Sequence, residues 1–148
     1  MYKHILIPTD GSELAGHAVT HGLSLAKSMG AKVTVVVVET PFNVFSVSES
    51  RARHMSEEFA KHEEQIKKHA ATVLTHARDK AKASNVPCDT LQMEHEQPYQ
   101  AIISAANDKG CDLIVMASHG RSGISAVLLG SVTNKVLTHT KTPVLVCH

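Results

Sequence analysis

The chain has 148 residues, 15 Lys and Arg against 14 Asp and Glu, a formal net charge of +1, and 3% aromatic residues with no Trp. That length suffices for one domain with a buried core, spanning residues 1–148. Balanced charge and scarce aromatics argue against a nucleic-acid face or base-stacking platform, and no apolar run is long enough to cross a bilayer.

The opening MYKHILIPTDGSE reads as a strand and a turn, not a signal peptide. The first strand is expected over 4–7, ended by Pro8, with Thr9, Asp10, Gly11 and Ser12 as the turn. Ser12 is a good N-cap, Glu13 sits where the helix dipole favours a negative charge, and Gly30 stops the helix. Residues 33–38 form a second strand so apolar that both faces must be covered. Residues 42–50 are loop-like, and their structure cannot be read. A long helix follows within 49–84, with Phe59, Ile66, Ala70, Val73, Leu74, Ala77 and Ala81 on one stripe. Residues 89–93 make a short, partly polar strand towards an edge. Pro98 suits the first turn of the next helix, and Gly110 ends it. A fourth strand covers 113–117, a helix runs from 132 to about 139, and the last strand is 144–147. The order β-α-β-α-β-α-β-α-β predicts an α/β fold with a doubly wound, five-stranded parallel sheet and helices on both faces. Ligands bind such sheets at the carboxyl ends of the strands, where strand order reverses. The first and fourth strands are the natural neighbours of that reversal.

Residues 113–132, LIVMASHGRSGISAVLLGSV, follow the fourth strand through a glycine loop into a helix start, with Ser131 as N-cap of a helix from Val132. Such a stretch is either a phosphate cradle of backbone N–H groups or an ordinary βα connection with flexible glycines. Asp10, opposite it, either caps its own turn or faces a ligand there. No G-x-x-x-x-G-K-[ST] occurs, and no G-x-G-x-x-G follows the first strand.

The segments ILIPTDGSE, DLIVMASHGRSG, LLGSVTNKVL and PVLV together resemble the universal stress protein family over nearly the whole chain. Nucleotide-binding members carry G-x2-G-x9-G-[ST] after the fourth strand. Gly120, the nine residues 121–129, Gly130 and Ser131 fit that pattern, while Ala117 stands at its first glycine. The resemblance implies a Rossmann-like domain of the adenine nucleotide alpha hydrolase type. It implies that Asp10 holds the ribose or a phosphate-bound magnesium, that Pro8 and Thr9 border the base, and that the Val38 backbone meets the adenine edge. Met116 and Ala117 would lie against the ribose. Gly120, Gly130, Ser131 and Val132 would take the triphosphate, mainly through backbone N–H groups. Alanine at 117 is harmless where the contact is a backbone N–H at negative φ, and obstructive where the site needs positive φ or a very close approach.

Arg121 either reaches a phosphate or lies in solvent, and His119 is expected to bond loop backbone rather than act as a base. His62, His69 and His76 recur every seven residues, ~10.5 Å apart along a helix, too far for one metal ion. Cys88, Cys111 and Cys147 suit neither a zinc site nor a disulfide framework and are expected as reduced, buried thiols. The leading expectation is a cytoplasmic stress-response protein that binds ATP with magnesium as a sensor or regulator, without strong catalysis. A weak ATPase or phosphotransferase is the enzymatic alternative, and a structural or chaperone-like dimer without nucleotide is the other. A homodimer is expected through Val144, Leu145 and Val146, a short apolar edge strand with little charge to blunt it.

Overall fold

The computed structural model describes residues 1–41, 49–120 and 129–148, with 49–55 described by backbone alone. The expectations for residues 42–48 and for Arg121 lie outside the described residues. Nine elements alternate along the chain: β1 (His4–Pro8), α1 (Glu13–Met29), β2 (Lys32–Glu39), α2 (Glu49–Ala83), β3 (Cys88–Glu94), α3 (Pro98–Lys109), β4 (Leu113–Ala117), α4 (Ser131–His139) and β5 (Val144–Cys147). The five strands are parallel in the order β3-β2-β1-β4-β5. Strand order therefore reverses between β1 and β4, the expected pair.

Local chemistry accounts for most boundaries. Ser12 caps α1 by accepting the Ala15 N–H at 3.3 Å, and Gly30 and Gly110 end α1 and α3 in the left-handed region, at φ 66° and 69°. β1 runs one residue further than expected, through Pro8, because the ladder continues when the Thr9 N–H donates to the Val36 carbonyl at 2.9 Å. β2 and β3 are likewise longer at both ends than the apolar runs that announced them, since backbone pairing does not stop where side chains turn polar. One helix start is corrected. Ser131 does not cap α4; it is the first helical residue, and Gly130 occupies the cap position with extended backbone (φ −70°, ψ 163°).

The sheet divides the core. On one face Ile5, Ile7, Val33, Val35, Leu113 and Val115 pack against α1 and against Ala70, Leu74, Ala77 and Ala81 of α2. Gly22 is needed here, because a Cβ would run into the Ile7 side chain. On the other face Leu6, Val36, Ile114 and Met116 pack against α3 and α4. The alternation of side chains along a strand sends neighbours such as Ile5 and Leu6 to opposite faces. Cys111 is buried, while Cys88 and Cys147 are half-buried, and all three are unpaired. Burial pushes each thiol up, Cys111 to about 11, which keeps it protonated and unreactive at neutral pH.

Candidate functional site

At the carboxyl ends of β1, β2 and β4 a cavity of ≈ 520 Å³ opens on the α3–α4 side of the sheet. Pro8, Thr9, Asp10, Val38, Met116, Ala117, Gly120, Gly130, Ser131 and Val132 all line it. Residues from five separated segments thus meet because β1 and β4 are neighbours.

The loop after β1 holds itself in shape. The Ser12 N–H donates to Asp10 Oδ1 at 2.9 Å, and the Gly11 N–H donates to Thr9 Oγ1 at 3.3 Å. Asp10 therefore does cap its own turn, and its carboxylate also reaches the second loop. A Cβ on Gly120 would collide with Asp10 Oδ2, so any side chain there would make the carboxylate move away from the second loop. Gly130 is constrained by backbone: a Cβ there would lie 3.1 Å from the Ser118 carbonyl oxygen and 3.2 Å from His119 Cα.

Two expectations for donors change. The Gly130 N–H donates to the Ser118 carbonyl at 2.6 Å, so it closes the loop instead of facing the cavity. The N–H groups without an intrahelical acceptor are those of Ser131, Val132 and Thr133, in the first turn of α4, where the helix dipole is positive. Among the described residues His119 bonds the Ser118 hydroxyl through Nδ1 at 2.9 Å, in place of the expected bond to loop backbone. Ala117 raises no backbone conflict: it lies within β4, and Asn85 is the one non-glycine residue at positive φ among the described residues. Its methyl packs with Ala15 and Ala18 of α1.

Sequence reasoning missed several lining residues: Val36, Thr40, Pro98, Ile102, Leu129 and Thr133. Thr133 matters most, because its buried hydroxyl donates to the Ala117 carbonyl at 2.8 Å and ties α4 to the end of β4. Pro98 and Ile102 belong to a helix whose apolar face was legible, but its position over the cavity depends on strand order. Val36, Val38, Ile102 and Met116 make an apolar wall of the cavity, and the first turn of α4 lines it as well.

A second cleft, of ≈ 480 Å³, lies across the sheet between α1 and α2. Thr9 borders it too, with Glu13, His17, Thr72, His76 and Lys80 among its other walls. His62, His69 and His76 are exposed along α2, and His69 also lies against Gly11.

The universal stress protein family profile matches residues 1–148. Universal stress protein YxiE of Bacillus subtilis is 31% identical over 147 residues, covering 99% of both chains. Among solved structures, protein MJ0577 of Methanocaldococcus jannaschii superposes with a TM-score of 0.79 at 27% identity, covering 99% of this chain and 96% of its own. A universal stress protein solved in complex with cAMP gives 0.70 at 27% identity, covering 99% and 97%. The glycine spacing after β4, the strand order and the match over the full length together make this chain a member of the universal stress protein family.

Proposed function

We propose that this protein binds an adenine nucleotide, with ATP and magnesium as the ligand pair, in the cavity between β1 and β4. On this reading the bound nucleotide biases a conformation or a partner choice, and the protein acts as a cytoplasmic stress regulator without steady catalysis. The observation that carries the reading is the meeting of Asp10 with Gly120 beside the first turn of α4. The apolar wall of Val36, Val38, Ile102 and Met116 suits a flat base. The N–H groups of Ser131, Val132 and Thr133 and the Ser131 hydroxyl suit phosphate oxygens. Asp10 offers the hard carboxylate oxygen that magnesium takes, and the metal would offset phosphate charge beside it. The cAMP complex of a relative supports an adenine nucleotide as the ligand class. Three unpaired thiols agree with a reducing compartment. Among the described residues no helix is long and apolar enough to cross a membrane.

Isothermal titration of Mg-ATP into the wild type and Asp10→Ala tests the proposal. Saturable binding is expected, weakened in the variant. No binding of ATP or AMP up to millimolar concentration would overturn it in favour of a dimer without nucleotide. Steady phosphate release that Asp10→Ala abolishes would replace the regulator with an ATPase.

The homodimer belongs to the same proposal. β5 is an outermost strand, and Val144, Leu145 and Val146 are each half-buried in the single chain. Two-fold pairing of this strand with its copy would cover an apolar edge. Light scattering should give twice the 15.9 kDa chain mass, and Val146→Asp should give a monomer. A monomeric wild type at tens of micromolar would sink the dimer.

A further inference from the structure

Beside the start of α4 stands a side-chain pair that the binding reading leaves unused. Ser118, fully buried, follows β4 and is pinned by three hydrogen bonds. Its N–H donates to the Cys147 carbonyl at 2.8 Å, its own carbonyl accepts the Gly130 N–H at 2.6 Å, and its hydroxyl lies 2.9 Å from His119 Nδ1. With the hydroxyl donating to Nδ1, the proton of a neutral imidazole sits on Nε2. The ring is then anchored through one nitrogen and carries an N–H on the other, in a residue that lines the cavity.

This residue stands beside the proposed phosphate donors of α4. His119 precedes Gly120, and its Cα and Cβ lie 3.2 and 3.5 Å from where a Gly130 Cβ would stand, just before the first turn of α4. Among the described lining residues there is no Lys or Arg. Asp10 and His119 are the acidic and the basic side chain among them. The cradle also has one backbone donor fewer than expected, because the Gly130 N–H is spent on Ser118. The same contact that removes that amide fixes the backbone from which His119 projects.

We propose that His119 is a phosphate-binding residue of this site, donating its Nε2–H to a non-bridging oxygen of the phosphate nearest α4, with Ser118 as its positioning residue. The inference rests on the nucleotide reading above. A hydrogen bond to an ionised phosphate is stronger than one between neutral groups, and a ring already held at Nδ1 loses less freedom on binding.

The test compares AMP with adenosine, which differ only in the phosphate, by isothermal titration into wild type, His119→Ala, His119→Gln and Ser118→Ala. His119→Ala should weaken AMP about ten- to a hundredfold and adenosine less than about twofold. His119→Gln, which keeps an N–H donor, should recover part of the AMP loss. Ser118→Ala should weaken AMP less than His119→Ala does and leave adenosine alone. Unchanged adenosine affinity also reports that the variants fold. Equal weakening of both ligands in His119→Ala would mean a structural role and overturn the proposal, as would unaltered AMP binding; either leaves the nucleotide reading intact. A wild type that binds neither ligand nor Mg-ATP would overturn both together.

Discussion

The two ends of the sheet handle polar groups in opposite ways. At the amino end His4 is buried, with Nε2 2.7 Å from Thr34 Oγ1 and Nδ1 3.1 Å from the Lys109 carbonyl. A carbonyl only accepts, so Nδ1 carries the proton and the Thr34 hydroxyl donates to Nε2: a neutral imidazole satisfied at both nitrogens. Asp112 accepts the backbone N–H groups of Lys3 at 2.9 Å and His4 at 3.1 Å, joining the start of β1 to the start of β4. Partial burial works to raise its carboxyl, but those amide donors outweigh it and hold the carboxyl below its ordinary value. At the carboxyl end the loops also bond within themselves, but glycines let them approach around an open cavity, and the first amides of α4 have no acceptor within the helix. Polar groups that satisfy one another serve stability. Donors left facing a cavity are available to a ligand.

This contrast can be broken from either side. The largest effect is expected from Gly130→Val. Its side chain must displace the Ser118–His119 backbone, costing about 1–3 kcal/mol of stability as overpacking, and Mg-ATP affinity should fall more than about a hundredfold. Calorimetric titration beside a thermal melt separates the two effects; a folded variant with full affinity would show that the loop closure is irrelevant to binding. Ser131→Ala removes one hydrogen bond to a charged group and should cost roughly ten- to a hundredfold in affinity with little change in melting.

At the other end the readouts should exchange. His4→Ala leaves the buried Thr34 hydroxyl without its partner and should cost about 1–3 kcal/mol in urea unfolding, with nucleotide affinity unaltered. The same site gives a pH dependence. Burial, and then the charge of Lys32, lowers the His4 pKa below 6.5. The unfolded chain therefore takes up a proton before the folded one does. The His4 contribution is complete above pH 6.5 and is lost as pH falls through the lower folded value. Wild type minus His4→Gln isolates it from the other histidines, and a difference that stays constant from about pH 7.5 to 5.5 would refute the assignment.

The smallest effect is expected at Ala117. Its backbone lies in a strand, so Ala117→Gly should change ATP affinity less than about twofold and cost about 0.5–1 kcal/mol of stability. Tighter binding in that variant would show that the methyl obstructs the ligand after all.

The sequence by itself determined the element order, because apolar periodicity, Ser12, Pro98 and the glycines at 30 and 110 act within a few residues of themselves. It also located the two loops of the site, since Asp10 and the spaced Gly120 and Gly130 sit at strand ends that alternation made legible. The tertiary structure decided what those residues do. Whether the Gly130 amide faces a ligand or the Ser118 carbonyl depends on a contact twelve residues back, and the partner of His119 Nδ1 depends on the course of that same turn. Thr133, Ile102 and Val36 entered the site only when the strand order brought α3, α4 and β2 around one opening. Periodicity reports which face of an element is apolar, but not which other element will meet it. The backbone φ at Ala117 was likewise set by pairing with β5, a strand some thirty residues later, and no local pattern carries that information.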